Sequence, residues 1–250
     1  MTILKSIYEA KKGNRKQFAL LIDPDKCDPE QLSYLVDKAV HAKVDFILVG
    51  GSLLLKDRVD ICIKQIRQRC NIPVLLFPGN VLQISKYADG ILFLSLISGR
   101  NPDFLIGQQV IAAPYLKQTN LEVLPTGYML IDGGVPTSVS YMSNTTPIPN
   151  EKKEIAYSTA LAGEMLGLKL IYLDAGSGAV RSVDKKMITY LSDRLSVPII
   201  VGGGIRTPQD AYDTVAAGAD IVVVGNVLEK DPDLLEQMVS AVHQVHKKQK

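Results

Sequence analysis

Short apolar runs alternate with longer amphipathic ones along the whole chain, and this alternation limits the fold more than any other feature. The short runs are Phe18–Ile22, Phe46–Val49, Val74–Phe77, Ile91–Leu94, Tyr128–Ile131, Leu170–Leu173, Ile199–Val201 and Ile221–Val224. Runs of Val, Ile and Leu with no polar face mark strands buried on both sides, that is, parallel strands covered by helices. Helical patterns lie between them, clearest at Pro29–His41, Lys56–Arg69, Glu151–Leu166, Ser182–Leu195, Pro208–Ala217 and Pro232–Lys247. Eight such units use up the 250 residues and leave no length for a second domain. The reading is therefore an α/β chain forming a single (β/α)8 TIM barrel over residues 1–250. The third and fourth units are weak, because Val81–Ala88 and Leu105–Leu116 make poor helices, and an open doubly wound sheet is the competing architecture. One long irregular stretch, Asp132 to Asn150, is either a functional lid or a tolerated insertion.

Composition removes several function classes. Lys and Arg number 28 against 26 Asp and Glu, a net charge of +2, so no phosphate-neutralising nucleic-acid surface is expected. The basic runs Lys11-Lys12-Gly13-Asn14-Arg15-Lys16 and Lys247-Lys248-Gln249-Lys250 read as solvated tails. Cys27, Cys62 and Cys70 form neither an even framework nor a CxxC pair, which fits a reducing cytoplasm. No apolar run is long enough to span a bilayer, so neither an integral membrane segment nor a signal peptide is expected. His41, His243 and His246 all fall in helical patterns, away from strand ends, which disfavours imidazole catalysis and His-based metal sites. No strand ends in lysine, and Lys26, just beyond one, is the sole Schiff-base candidate.

In this architecture chemistry belongs at the C-terminal ends of the strands. Strands seven and eight end in Gly202-Gly203-Gly204 and Gly225-Asn226. Glycines there let backbone N–H groups approach an anion, so Gly203, Gly204, Gly225 and Asn226 are read as a phosphate site. On strand six Tyr172 and Asp174 share one face and Leu173 takes the other. Asp174 can bind polyol hydroxyls or accept a proton from one, or else cap a helix. Ser177, between Gly176 and Gly178, can add phosphate donors. Asp23 and Asp25 straddle Pro24 at the end of strand one, and their hard oxygens beside phosphate donors suggest Mg²⁺, with Ser52 adjoining. For Asp25 and Asp28 the competing role is to cap the helix that begins near Pro29.

Ile22-Asp23-Pro24-Asp25-Lys26, Val49-Gly50-Gly51-Ser52, Ser98-Gly99-Arg100-Asn101-Pro102, Tyr172 through Gly178, Val201 through Arg206 and Val224-Gly225-Asn226 occur in order at the strand ends. Together they resemble the motifs of the geranylgeranylglyceryl phosphate synthase family, almost from end to end. The longer N-terminus, with an extra helix near Ile3–Lys11, is similar to the geranylgeranyl branch rather than the shorter heptaprenyl enzymes. The resemblance implies a prenyltransferase that joins a polyprenyl diphosphate to the primary hydroxyl of sn-glycerol 1-phosphate. It implies Mg²⁺ at Asp23 and Ser52, and the prenyl diphosphate at Arg100 and Asn101. Glycerol phosphate is then held by Tyr172, Leu173, Asp174, Ala175, Gly176, Ser177, Gly178, Gly203, Gly204, Gly225 and Asn226, with Asp174 and Tyr172 catalytic. A cytoplasmic homo-oligomer engaged in ether-lipid synthesis is expected. Two residues depart from the family pattern: Asp174 stands where Glu is usual, and Leu21 where the shorter bacterial members carry Lys.

The chemistry suits a chain without usable histidine. Ionising an allylic diphosphate needs charge stabilisation on the leaving group, and the carbon left behind needs only a positioned hydroxyl and a carboxylate to take its proton. An apolar trench for the tail is expected among Leu75, Leu76, Phe77, Leu92, Phe93, Leu94 and Ile97, where the weak third unit leaves the wall open. A heptaprenylglyceryl phosphate synthase is the competing function that the resemblance leaves, and more remote are a phosphosugar isomerase or aldolase and a non-enzymatic phosphate-sensing barrel.

Overall fold

A computed structural model describes residues 2–26 and 28–245. Strands β1 (Gln17–Ile22), β2 (Phe46–Val49), β3 (Val74–Leu76), β4 (Gly90–Leu96), β5 (Glu122–Leu130), β6 (Leu170–Asp174), β7 (Ile199–Gly202) and β8 (Ile221–Val224) pair in parallel and in chain order. β8 pairs back onto β1, Gln17 to Ile221 through Leu20 to Val224, and so closes the barrel. The open doubly wound alternative is thereby excluded. The helices are α1 (Ile3–Lys12), α2 (Pro29–Ala42), α3 (Val59–Arg69), α4 (Gln108–Leu116), α5 (Ser138–Ser143), α6 (Lys153–Met165), α7 (Lys185–Ser192), α8 (Pro208–Ala216), α9 (Asn226–Lys230) and α10 (Leu234–His243).

Alternation along each strand divides the core in two. Phe46, Leu48, Leu75, Leu92, Leu124, Tyr172 and Ile200 fill the barrel, while Ile47, Val49, Leu76, Ile171, Leu173 and Val201 pack beneath the helices. Ile7 of α1 is buried in the inner cluster, so α1 covers one end of the barrel. The Glu122 carboxylate accepts from the Ile3 and Leu4 N–H groups at 2.6 and 2.8 Å, satisfying free donors of the first turn of α1. The other end, where the strands terminate, stays open.

Several elements differ from the sequence expectation. Between β3 and β4 there is no α-helix, only a 3₁₀ turn at Val81–Gln83, which is the modified third unit in its extreme form. The Leu105–Leu116 segment divides into a π-turn over Asp103–Gly107 and then α4. β5 begins at Glu122 rather than Tyr128, because β4 offers a partner to every residue from Glu122 to Tyr128. Pro125, Thr126 and Gly127 hide that strand from a pattern search. The 132–150 stretch is not irregular throughout, since α5 lies inside it, capped by a reciprocal pair of bonds between Thr137 and Ser140. α3 starts at Val59, leaving Lys56 in a loop, and α10 ends at His243. The first basic run is not a solvated tail: the Lys11 and Lys16 ammoniums lie 2.9 and 3.6 Å from the Asp220 carboxylate, and Arg15 pairs with Asp45 at 2.9 Å. Lys247 through Lys250, His246 and Cys27 lie outside the described residues. Among those described, no helix is long and apolar enough to cross a membrane.

Candidate active site

A cavity of about 740 Å³ opens at the C-terminal ends of the strands. Its floor carries Tyr128, Tyr172 and Asp174, and one side is formed by the glycine turns after β6, β7 and β8. Next to the β8 turn, the ends of β1 and β2 bring Asp23, Asp25, Lys26 and Ser52 to the same rim. Ile91 and Phe93 face the helix layer and Leu92 and Leu94 face the barrel interior, yet all four line this cavity. Only two residue pairs join β3 to β4, and no helix covers that seam. The cavity therefore passes through the barrel wall at the third unit and continues to Phe104, Gln109 and Ala112. It combines a polar mouth with an apolar branch. Of the expected trench residues, Phe77, Leu92, Phe93 and Leu94 line it, whereas Leu75 and Leu76 are core and Ile97 lies elsewhere. Val139 and Met142 of α5 border the same space, so the 132–150 segment belongs to the site.

Asp174 is the last residue of β6 and is buried. Its Oδ2 accepts from the Tyr128 hydroxyl at 2.6 Å, and its Oδ1 accepts from the Gly176 N–H at 2.7 Å. It caps no helix. Burial raises its pKa, and the two donors oppose that rise without cancelling it. Burial likewise pushes the Tyr128 and Tyr172 phenols well above their ordinary values, with the Asp174 charge adding to the effect. The Tyr172 ring stacks on Phe77 at 5.1 Å between centroids, and Tyr128 meets both rings edge-on. A carboxylate thus sits beside three aromatic rings.

The glycine turns press together, backbone against backbone. Gly203 and Gly204 have φ of +81° and +71°, in the left-handed region. A Cβ on Gly203 would stand 2.6 Å from the Gly176 nitrogen and 2.8 Å from Asp174 Oδ1. The amides of Ser177, Gly178, Gly203 and Gly204 find no acceptor among the described residues, which leaves N–H donors around one hollow. The Asn226 Nδ2 donates to Ser177 Oγ at 2.8 Å, tying the β8 end to the β6 end. Gly225 and Asn226 also line the cavity. Leu173 and Ala175 do not: Leu173 packs in the outer core, and the Ala175 N–H is spent on the Gly202 carbonyl at 3.1 Å.

At the end of β1, Asp23 Oδ1 accepts from the Asp25 N–H at 3.1 Å, and its Oδ2 pairs with the Lys26 ammonium at 2.9 Å. Lys26 also lies 3.7 Å from Glu229 and 3.4 Å from Asn226 Oδ1. Burial would lower the Lys26 pKa, but Asp23 and Glu229 outweigh it and hold the ammonium above its usual value. Burial raises the Glu229 pKa, against the pull of Lys26. Asp25 does not cap α2, which Asp28 does by accepting from the Glu30 and Gln31 N–H groups at 3.0 and 2.9 Å. Instead Asp25 Oδ2 accepts from the Leu55 N–H, and its Oδ1 is buried without a partner. Ser52 lies on the same rim, while Leu21, on the cavity wall, carries no charge to it.

Arg100 and Asn101 stand apart. The Arg100 guanidinium donates to the Gly99 carbonyl at 2.8 Å and the Asn101 amide to the Ser143 carbonyl at 2.8 Å, and neither residue lines the large cavity. His41 and His243 lie in or beside α2 and α10, remote from the mouth, with His243 bonded to Asp45 at 2.8 Å. Sequence reasoning missed Tyr128 and Glu229. Tyr128 was legible as the one polar aromatic at the head of the apolar run Tyr128–Ile131, whereas nothing local singles out Glu229 within α9.

The PcrB family model matches residues 11–246. The chain belongs to the PcrB family. Proteins named geranylgeranylglyceryl phosphate synthase align with it over nearly their full length. That of Chitinophaga pinensis is 53% identical over 241 residues, covering 96% of both chains. That of Spirosoma linguale is 54% identical, covering 98% of this chain and 97% of its own. A crystal structure of the Thermoplasma acidophilum synthase, in complex with its substrate sn-glycerol-1-phosphate, superposes with a TM-score of 0.93 at 34% identity, covering 98% of this chain and all of that one. Membership in this family agrees with the motif resemblance read at the strand ends. A Mycobacterium tuberculosis tryptophan synthase, at 14% identity and a TM-score of 0.62, shares the fold alone.

Proposed function

We propose that this PcrB-family member is a geranylgeranylglyceryl phosphate synthase. It transfers the geranylgeranyl group from its diphosphate to the primary hydroxyl of sn-glycerol 1-phosphate and releases diphosphate. The observation that carries this reading is a single cavity joining a glycine-lined anion hollow and a buried carboxylate to an apolar branch through the barrel wall. A phosphosugar isomerase or aldolase needs the hollow but has no use for the branch, and a phosphate sensor needs neither the branch nor Asp174.

The acceptor's phosphate sits on the free amides of Ser177, Gly178, Gly203 and Gly204, with Gly225 and Asn226 closing the hollow. Its glycerol end reaches Tyr172 and Asp174. We assign the donor's tail to the branch along Phe93, Phe104 and Ala112, and its diphosphate to the mouth beside Asp23 and Ser52. The hydroxyl oxygen forms a bond to the first prenyl carbon as the bond from that carbon to diphosphate breaks, and its proton passes to Asp174. The rings of Tyr128, Tyr172 and Phe77 line the space where positive charge develops on carbon. Arg100 and Asn101 are assigned to holding their own loop.

Mg²⁺ fits the donor set. Asp23, Asp25 and Ser52 offer hard oxygens, and Asp25 Oδ1 is a buried acceptor still lacking a donor. Among the described residues no group of 3 or more His, Cys, Asp or Glu could hold a metal ion by itself, so substrate phosphate and water would have to complete the shell. Bound there, Mg²⁺ supplies charge neutralisation to the leaving diphosphate. We assign the reaction to the cytoplasm, a reading supported by the buried Cys62 and Cys70, which form no disulfide among the described residues. Exposed Val110, Ile111 and Tyr115 on α4 support a homo-oligomer, which sedimentation tests. For the activity itself, labelled sn-glycerol 1-phosphate is incubated with geranylgeranyl diphosphate and Mg²⁺. Label must enter the organic phase, and its retention in water with active protein refutes the assignment.

A further inference from the structure

We propose that Lys26 is a built-in counter-ion of the donor site, which neutralises Asp23 and Glu229 in the empty protein and passes to the donor's diphosphate on loading. The inference rests on the reading above that the diphosphate end lies beside Asp23. Two largely buried carboxylates, with side chains 18% and 12% exposed, meet here from the end of β1 and from α9. The ammonium between them belongs to a side chain that is 48% exposed, which leaves it open space to turn into. A turn closed by the Lys26 N–H on the Asp23 carbonyl at 3.1 Å fixes its root next to its partner.

The other groups on this rim do not replace it. Asn226 Oδ1 touches the same ammonium at 3.4 Å, and Asn226 is otherwise tied to Ser177. Arg206 donates to the Ala179 carbonyl at 2.7 Å, and among the described residues Lys230 pairs with neither carboxylate. Leu21, the neighbouring wall residue, brings no charge. A lysine suits such an exchange because its compact charge rides on a flexible stem and needs no fixed fork of donors.

Opposite consequences follow for the two ligands. A cation entering at Asp23 must displace Lys26, so the lysine opposes the metal alone. A diphosphate arriving with the cation offers the displaced ammonium a new partner, so the lysine favours the pair. Loading of donor and cation is thereby coupled, and solitary cations are disfavoured.

The test uses the full chain and two titrations, one with Mn²⁺ alone and one with preformed Mn²⁺·pyrophosphate, on wild type, K26M and K26R. K26M is expected to bind Mn²⁺ about tenfold more tightly and Mn²⁺·pyrophosphate about tenfold more weakly, the scale of one charge-assisted contact. K26R, which keeps the charge, stays near wild type in both. A merely structural role moves both titrations of K26M in the same direction, and that result overturns the inference, as do unchanged affinities. Failure of wild type and variants alike to bind Mn²⁺·pyrophosphate overturns the donor-site reading, and this inference with it.

Discussion

Replacing Tyr128 by Phe removes one oxygen and leaves the ring packing in place. The lost hydroxyl is the donor to Asp174 Oδ2 at 2.6 Å, and both groups are buried. A hydrogen bond to a charged group is worth about 1.5–3 kcal/mol, so the variant is expected to lose roughly 10- to 150-fold in kcat/KM at neutral pH. The direction in pH also follows. On the proposed mechanism Asp174 must be ionised to take the hydroxyl proton; burial already raises its pKa, and the Tyr128 bond is one of the two effects holding it down. Deleting that bond raises the pKa further, and the acid limb of the rate profile moves to higher pH. Stability falls as well, because a buried acceptor left short of a donor costs about 1–3 kcal/mol, or roughly 2–12 °C in Tm at this chain length. The assay is kcat/KM across pH with both substrates, alongside thermal denaturation. A full rate with an unmoved acid limb refutes the pairing of Tyr128 with a catalytic Asp174.

Asp174→Asn is expected to lower turnover by about 100-fold or more while raising Tm. Since the folded-state pKa is raised, protonated Asp174 favours folding at low pH and that benefit is lost as pH climbs through the folded value, so the Tm gain appears only above it. Asp174→Glu should keep more activity than Asp174→Ala; equal damage means that the shorter side chain serves a different geometry. Gly204→Ala puts a Cβ 2.7 Å from both the Arg181 carbonyl oxygen and the Ser182 nitrogen at a φ of +71°, so calorimetry should show weaker glycerol phosphate binding together with a lower Tm. Asp23→Asn should remove most turnover yet leave glycerol phosphate binding nearly intact, and an equal loss of both in a direct titration contradicts its placement on the donor side.

The barrel was legible because its strands are buried on both faces, and such strands write themselves as plain Val, Ile and Leu runs. The exception proves the mechanism: β5 was cut short at Tyr128 because Pro125, Thr126 and Gly127 carry no apolar signal, and its register with β4 supplies what the sequence pattern lacks. The glycine hollow was legible for the same kind of reason, since φ near +71° to +90° at Gly176, Gly203 and Gly204 requires residues that stand out by type. Partners brought together by the fold were not. Glu229 meets Asp23 through Lys26 only once β8 closes on β1, and Tyr128 meets Asp174 across a β5–β6 pairing that places Leu130, not Tyr128, beside it. Arg100 and Asn101 sit at a strand end by count but turn onto loop carbonyls instead of the cavity.

The central claim is that one cavity holds a phosphate acceptor at its mouth and a prenyl tail in a branch of limited length. Single-turnover rates with sn-glycerol 1-phosphate, Mg²⁺ and a ladder of donors from geranyl to heptaprenyl diphosphate test it directly. Shortening the tail forfeits burial of about 0.8 kcal/mol per CH₂, whereas a tail that outruns the stretch lined by Phe104, Gln109 and Ala112 has no further cavity to enter. Rates are therefore predicted to peak with geranylgeranyl diphosphate, to decline gradually through farnesyl and geranyl, and to drop steeply above the peak. A rate that keeps rising to heptaprenyl diphosphate contradicts the assigned donor, and a rate indifferent to tail length contradicts the branch itself.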